Sequence, residues 1–196
     1  MPRNDNRQLI TKQLGSYRQT LPIALPNALA ANSELVALQW TQATNLLLLT
    51  NIKTAIKQSN VAASAETLCD IRCFRATAFT VADSVGTAVT PQKKQSSMPA
   101  SLVADFRFGA PLTVGTRTLD PQPFMGMSYE LSTGVLTAVD YPTWSEQWND
   151  PAMGAVMPLV LAQNEGIVVR STTAHPATGA ATLYVTLEWD EVTDLN

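Results

Sequence analysis

"TLYVTLEWDEV", residues 182–192, decides how the chain is read. Leu183, Val185, Leu187 and Trp189 fall on one side of an extended backbone, and Thr182, Tyr184, Thr186, Glu188 and Asp190 on the other. Alternation with period two marks a strand with one buried and one wetter face. Just upstream, "GIVVRS" (166–171) sets Ile167 and Val169 against Val168 and Arg170. The stretch between them, "TTAHPATGA" (172–180), carries the single histidine, His175, next to Pro176 and near Gly179. Turn formers between two alternating runs predict a β-hairpin, with His175 exposed at its tip.

The same style extends toward the N-terminus. In "ETLCDIRCFRATAFT" (66–80), Leu68, Asp70, Arg72, Phe74 and Ala76 share one face, and Cys69, Ile71, Cys73 and Arg75 the other. "SLVADFRFG" (101–109) predicts a further strand, and "APLTVGTRTLDPQPF" (110–124) continues the rhythm of short strands and turns. "VADSVGTAVTPQKKQSSMPA" (81–100), with its Lys93–Lys94 pair, reads as a polar surface connection or hairpin. One stretch fits two templates. Leu46, Leu48, Thr50, Ile52, Thr54 and Ile56 alternate as in a strand, while Leu48, Leu49, Ile52, Ala55 and Ile56 keep helical spacing. Thr50 and Asn51 are poor helix-interior residues, which favours the strand. Many short strands with Gly and Pro punctuation, and no long amphipathic helix, predict a mainly β protein. The expected architecture is an antiparallel β-sandwich, jelly-roll-like, or a barrel.

Residues 1–32 read as an extended N-terminal arm and residues 33–196 as the β-sandwich body. Arg3, Arg7, Lys12 and Arg18 face only Asp5 in the first twenty positions. Pro22 and Pro26 favour extended backbone, and Leu21, Ile23, Leu25 and Leu29 suit an arm lying on a surface. The plainer alternative is a disordered tail. On the arm reading, deleting residues 1–25 leaves the body folded.

Composition narrows the function. The chain has 196 residues, 45% hydrophobic and 15% charged, with net charge −3. That is too apolar for a disordered chain and too acidic for wholesale nucleic-acid binding. The purely apolar run Leu46–Leu49 is far too short to cross a bilayer, and "MPRNDNRQLITKQ" has no secretory core, which points to the cytoplasm. Cys69 and Cys73 are expected as reduced, buried thiols, since four residues along a strand put them about 13 Å apart.

Chemistry is hard to find. A single histidine cannot build the metal site of a cupin, and neither a nucleophile elbow, an EF-hand loop nor a nucleotide-binding glycine loop occurs. Sixteen acidic residues guarantee some carboxylate pair, so a glycosidase-like pair has no specificity. No catalytic residue, metal ligand or cofactor is therefore assigned. One constellation remains: Tyr141, Trp144 and Trp148 in "DYPTWSEQWNDP" (140–151). Such aromatics suit a cap over the core, a subunit interface or a sugar-stacking platform.

"ADSVGTAVT" (82–90), "SMPASLVADFRF" (97–108), "LTVGTRTLD" (112–120), "PLVLAQNEGIVVRS" (158–171) and "LYVTLEWDEV" (183–192) together resemble small virion structural proteins of tailed bacteriophages. The likeness covers residues 65 to 192 and lies in phrase order and strand style. It implies a β-sandwich or jelly-roll protein of the particle: capsid cement or decoration protein, head fibre or tail accessory. Cement proteins of this kind commonly form trimers and clamp neighbouring capsid subunits with extended arms. The resemblance thus implies a non-enzymatic protein of the virion capsid, assembled in the host cytoplasm. Its implied partners are the major capsid protein and further copies of itself as a homotrimer, without direct contact to nucleic acid or membrane. The basic arm would meet acidic capsid surface or the acidic "EWDEVTD" (188–194) of a neighbour. The alternatives are a carbohydrate- or receptor-binding module of a tail or head fibre, built on Tyr141, Trp144 and Trp148, and a small hydrolase using a carboxylate pair.

Overall fold

A computed structural model describes residues 13–58, 62–134 and 158–193, and the backbone alone of residues 144–147. The fold is all-β: strands take up 59% of the chain, and two antiparallel sheets pack together as a β-sandwich. With strands numbered in chain order, the first sheet contains β1 (Gln13–Leu25), β3 (Leu46–Gln58), β6 (Gln92–Lys93), β10 (Trp144–Gln147), β11 (Leu159–Leu161) and β13 (Ala181–Val192). Its order is β10-β3-β13-β1-β6, with β11 also on β3. The second sheet contains β2 (Ser33–Trp40), β4 (Thr67–Val81), β5 (Thr87–Ala88), β7 (Asp105–Phe108), β8 (Thr116–Leu119), β9 (Met125–Leu131) and β12 (Glu165–Ser171). Its order is β5-β7-β2-β12-β4-β8, with β9 also on β4.

The core lies between the sheets. Leu183, Val185, Leu187 and Trp189 of β13 are fully buried, as their alternation predicts. Cys69, Ile71 and Cys73 of β4 and Ile167 and Val169 of β12 belong to the same cluster. Both cysteines are free thiols, and burial pushes Cys73 up to about 12. Trp189 stacks on Tyr17 at 5.7 Å between ring centroids and meets Phe106 edge-on at 5.9 Å. A second cluster of Ala37, Ala76, Phe79, Leu112 and Val168 forms on the opposite side of the second sheet. β12 is therefore apolar on both faces, which is why "GIVV" does not alternate. Gly166 belongs to this packing, because a Cβ there would run into the Leu38 carbonyl and the Phe79 ring.

The ambiguous stretch is a strand with a phase change. Leu47 and Leu49 point into the core, and then Ile52 and Ile56 do. Glu188 pairs with Asn51 but Trp189 pairs with Leu49, so Thr50 is an extra residue in β3. A bulge of this kind switches the inward face from odd to even positions. The Thr50 hydroxyl donates to the Glu188 carbonyl at 3.1 Å across the same bulge.

Three expectations change. First, the last two strands are not a hairpin. β12 pairs with β2 and β4, whereas β13 pairs with β1 and β3, so residues 172–180 cross from one sheet to the other. Two strands that each turn an apolar row toward one interior can stack across it as well as pair beside each other. Alternation does not distinguish these cases. Second, the extended segment is not a separate arm over its second half. Residues 13–25 are β1, paired with β13 from Gln13↔Val192 to Leu25↔Ala181. Tyr17, Leu21, Ile23 and Leu25 are buried in the body's own core. The prolines do mark extended backbone, but the apolar row that suggested a foreign surface faces the chain itself. Third, only Asp105–Phe108 of "SLVADFRFG" is strand. Leu102 and Val103 precede it as partly buried residues packed against the core.

Removing residues 1–25 is therefore expected to abolish cooperative unfolding, as followed by thermal circular dichroism. Trp189→Ala, which empties the centre of the core, is expected to cost about 3–5 kcal/mol in denaturant titration.

Candidate interaction surface

Of the residues singled out in the sequence, Arg18 is described in full. It stands on the outward face of β1 with its side chain 57% exposed, and its Nε lies 3.6 Å from Glu188 Oε1 on β13. Lys94 Nζ reaches the other oxygen of Glu188 at 2.7 Å. β6 brings this about by pairing Lys93 with Tyr17 and Gln92 with Arg18. The result is an open groove of about 580 Å³ lined by Arg18, Gln19, Thr20, Gln92, Lys93, Lys94 and Glu188. Burial alone would raise the Glu188 carboxyl, but Lys94, Arg18 and Lys53 outweigh it and hold it below its ordinary value. Beside it, the Thr20 and Thr186 hydroxyls share a hydrogen bond of 2.8 Å.

Arg3, Arg7, Lys12, Tyr141 and Trp148 lie outside the described residues. The backbone of Trp144 pairs with Thr54 at the opposite border of the first sheet. β3 and β13 separate it from β1. Three strand spacings separate the two backbones by about 14 Å across the sheet. The residues that do accompany Arg18 are Lys93 and Lys94, from the stretch that reads in sequence as a polar surface connection or hairpin. Their adjacency is visible in sequence; the return of Lys93 to Tyr17, 76 positions away, is not. The opposite charges of the two chain regions also meet within one chain, at Arg18 and Glu188.

Several polar groups are buried. His175 is not an exposed tip: it is 8% exposed. Its Nε2 lies 3.1 Å from the Tyr129 hydroxyl and 3.2 Å from Ser171 Oγ. Its backbone N–H donates to the Leu29 carbonyl at 2.9 Å, and the Ala28 N–H donates to the Pro176 carbonyl at 2.8 Å. The crossing loop is thereby laced to the turn after β1. Burial lowers His175 from its ordinary 6.5 and favours the neutral ring. Ser171 is also buried, and its hydroxyl donates to the Thr173 carbonyl at 2.8 Å. This Ser–His contact locks the crossing loop to the end of β12.

At the second sheet, the Arg117 guanidinium bonds Glu34 and both oxygens of Asp83, and Arg170 Nη2 reaches Glu34 Oε1 at 3.0 Å. The Gly115 N–H donates to Asp83 Oδ1 at 2.8 Å. Arg117 also covers the Phe79 ring at 4.6 Å. Burial, with Arg170 nearby, pushes Arg117 down to about 10, still charged at neutral pH. At one end of the sandwich, buried Glu191 accepts from Ser101 Oγ at 2.5 Å, from the Leu102 N–H at 3.0 Å and from Trp189 Nε1 at 3.3 Å. Burial raises the Glu191 carboxyl, and these donors oppose the rise. Among the described residues, no three His, Cys, Asp or Glu side chains are grouped so as to hold a metal ion.

No protein-family model matches the chain, and no curated protein matches it either.

The depressed His175 sets a sign for pH dependence. The unfolded chain takes up the proton more readily, so stability is full above the ordinary value of 6.5 and is lost as pH falls toward the lower folded value. Chemical denaturation should show this loss as pH falls below about 6.5, and His175→Gln should flatten that slope. Arg117→Ala should destabilise the fold by about 3–5 kcal/mol in the same measurement, because it leaves buried Asp83 without its cation and Glu34 with Arg170 alone.

Proposed function

We propose that the chain is a structural protein of a tailed-bacteriophage particle, a capsid cement or decoration protein acting by protein–protein contact. In this role it catalyses nothing, assembles with further copies of itself, with a trimer favoured, and binds the major capsid protein on the virion. The likeness in phrase order to small virion proteins supports this reading, and so does the nested strand order. β1 lies beside β13 and β2 beside β12, as in a jelly roll. The observation that carries it is the anchoring of β1, the strand that directly follows Arg3, Arg7 and Lys12 in sequence. Arg18 lies within a strand paired along its whole length, so the twelve residues ahead of Gln13 are tethered to a stiff, two-layered body.

Such a body suits a clamp. A shell under outward pressure from packaged DNA is held by added contact area between neighbouring capsomers. Individually modest contacts, repeated by symmetry, are hard to release together. A charged segment that drapes over a neighbour adds area at an ordering cost, which a rigid anchor limits to the segment itself.

A truncation must stop before Gln13, since β1 belongs to the core. Purified shells mixed with the full chain are expected to retain many copies by mass count and cryo-electron microscopy. The chain lacking residues 1–12 should bind more weakly while keeping its thermal midpoint. Equal binding by the truncated chain would remove the clamp, and failure of the full chain to associate with shells would remove the capsid role.

A further inference from the structure

The outer border of the first sheet is only partly closed. β6 pairs with β1 at Tyr17 and Arg18. Among the described residues, no strand lies against Thr20–Leu25 on that side. In an antiparallel ladder, alternate residues turn their N–H and C=O to the same side. The Lys94 N–H donates to the Ser16 carbonyl at 2.9 Å, which shows that Ser16 faces the border. Arg18, Thr20, Pro22 and Ala24 therefore do so too, and the intervening residues face β13. Thr20, Pro22 and Ala24 are all exposed. Thr20 and Ala24 turn both backbone groups outward, the Thr20 carbonyl accepting only an exposed contact from Gln19 Nε2 at 3.3 Å, while Pro22 turns out only its carbonyl. An edge of this kind is a template for one more strand.

The open edge continues directly from the basic groove. Arg18, Lys93 and Lys94 line that groove around the single carboxylate of Glu188, leaving an excess of two positive charges. We propose that groove and edge together receive an extended acidic peptide of a partner protein, which adds as a strand to β1 and sets its carboxylates against Arg18, Lys93 and Lys94. A nucleic acid fits less well. A phosphate backbone has no alternating N–H and C=O to match Thr20 and Ala24. Pro22 keeps the ladder short, so the charges must supply much of the affinity. Binding is then specific for acidic strands and weakens with salt. It also explains why the border does not invite indiscriminate pairing: proline on an edge blunts self-association. The groove carries this inference whether or not the partner belongs to a phage shell.

The test uses the full chain and a fluorescent ten-residue peptide of alternating Glu and Thr. Saturable binding is expected, falling as salt rises, together with slowed amide exchange at Thr20 and Ala24. The K93E/K94E double variant, at two exposed positions, should bind about tenfold more weakly. The same peptide N-methylated at alternate residues should lose binding, since it cannot complete the ladder. Equal binding of the N-methylated peptide, absence of protection at Thr20 and Ala24, or no binding of the Glu–Thr peptide would overturn the strand addition. Tighter binding of oligothymidylate than of the peptide, lost in K93E/K94E, would overturn the peptide in favour of nucleic acid.

Discussion

β13 is held on both flanks for its whole length. β1 pairs with it from Ala181 to Val192 on one side, and β3 does so on the other. Its inward row of Leu183, Val185, Leu187 and Trp189 supplies the middle of the interior, and the Tyr17–Trp189–Phe106 ring contacts tie the two sheets together there. Neighbouring features follow from this strand. The β3 bulge at Thr50 exists because Glu188 and Trp189 pair with residues two apart. The groove exists because Glu188 points outward beside Arg18 and draws Lys94 to it. Glu191, near the strand's end, closes one end of the sandwich by holding Ser101 and Leu102.

The buried polar groups divide into locks that join distant segments. Glu34, Asp83 and Arg117 connect β2, the residues after β4, and β8. His175 joins the crossing loop to Tyr129 of β9 and to Leu29. A buried ion cluster adds little over an apolar core of the same volume, but its half-broken form is costly. In this fold it ties long connections to one geometry, where a small core patch such as Phe79 and Leu112 would leave them loosely placed.

Much of the fold could be read from residue order because the physics is local. Leu183 to Trp189 and Cys69 to Cys73 alternate cleanly, so their inward faces follow from the pleat alone. The rest depends on distant partners. "GIVVRS" and "TLYVTLEWDEV" are the same kind of segment whether they pair or face each other across a core, and only β1, β2, β3 and β4 decide between those cases. Leu21, Ile23 and Leu25 declare an apolar row but not what covers it. His175 looked exposed from its turn-rich context, and nothing nearby in sequence signals Tyr129. For the site, Arg18 and the Lys93–Lys94 pair were each visible, while their meeting depends on a two-residue strand, too short for any periodic signal.

The nested pairing has a consequence for biosynthesis. Among the described strands, β1 leaves the ribosome before the others and its full-length partner β13 after them, with β12 and its partner β2 nested just inside. Leu21 and Ile23 therefore stay without a sheet neighbour until β13 has been translated. A polypeptide of this layout folds late and all at once, and its long-range closure is intrinsically slow. The solubility of the nascent chain then rests on what shields that first strand in the interval.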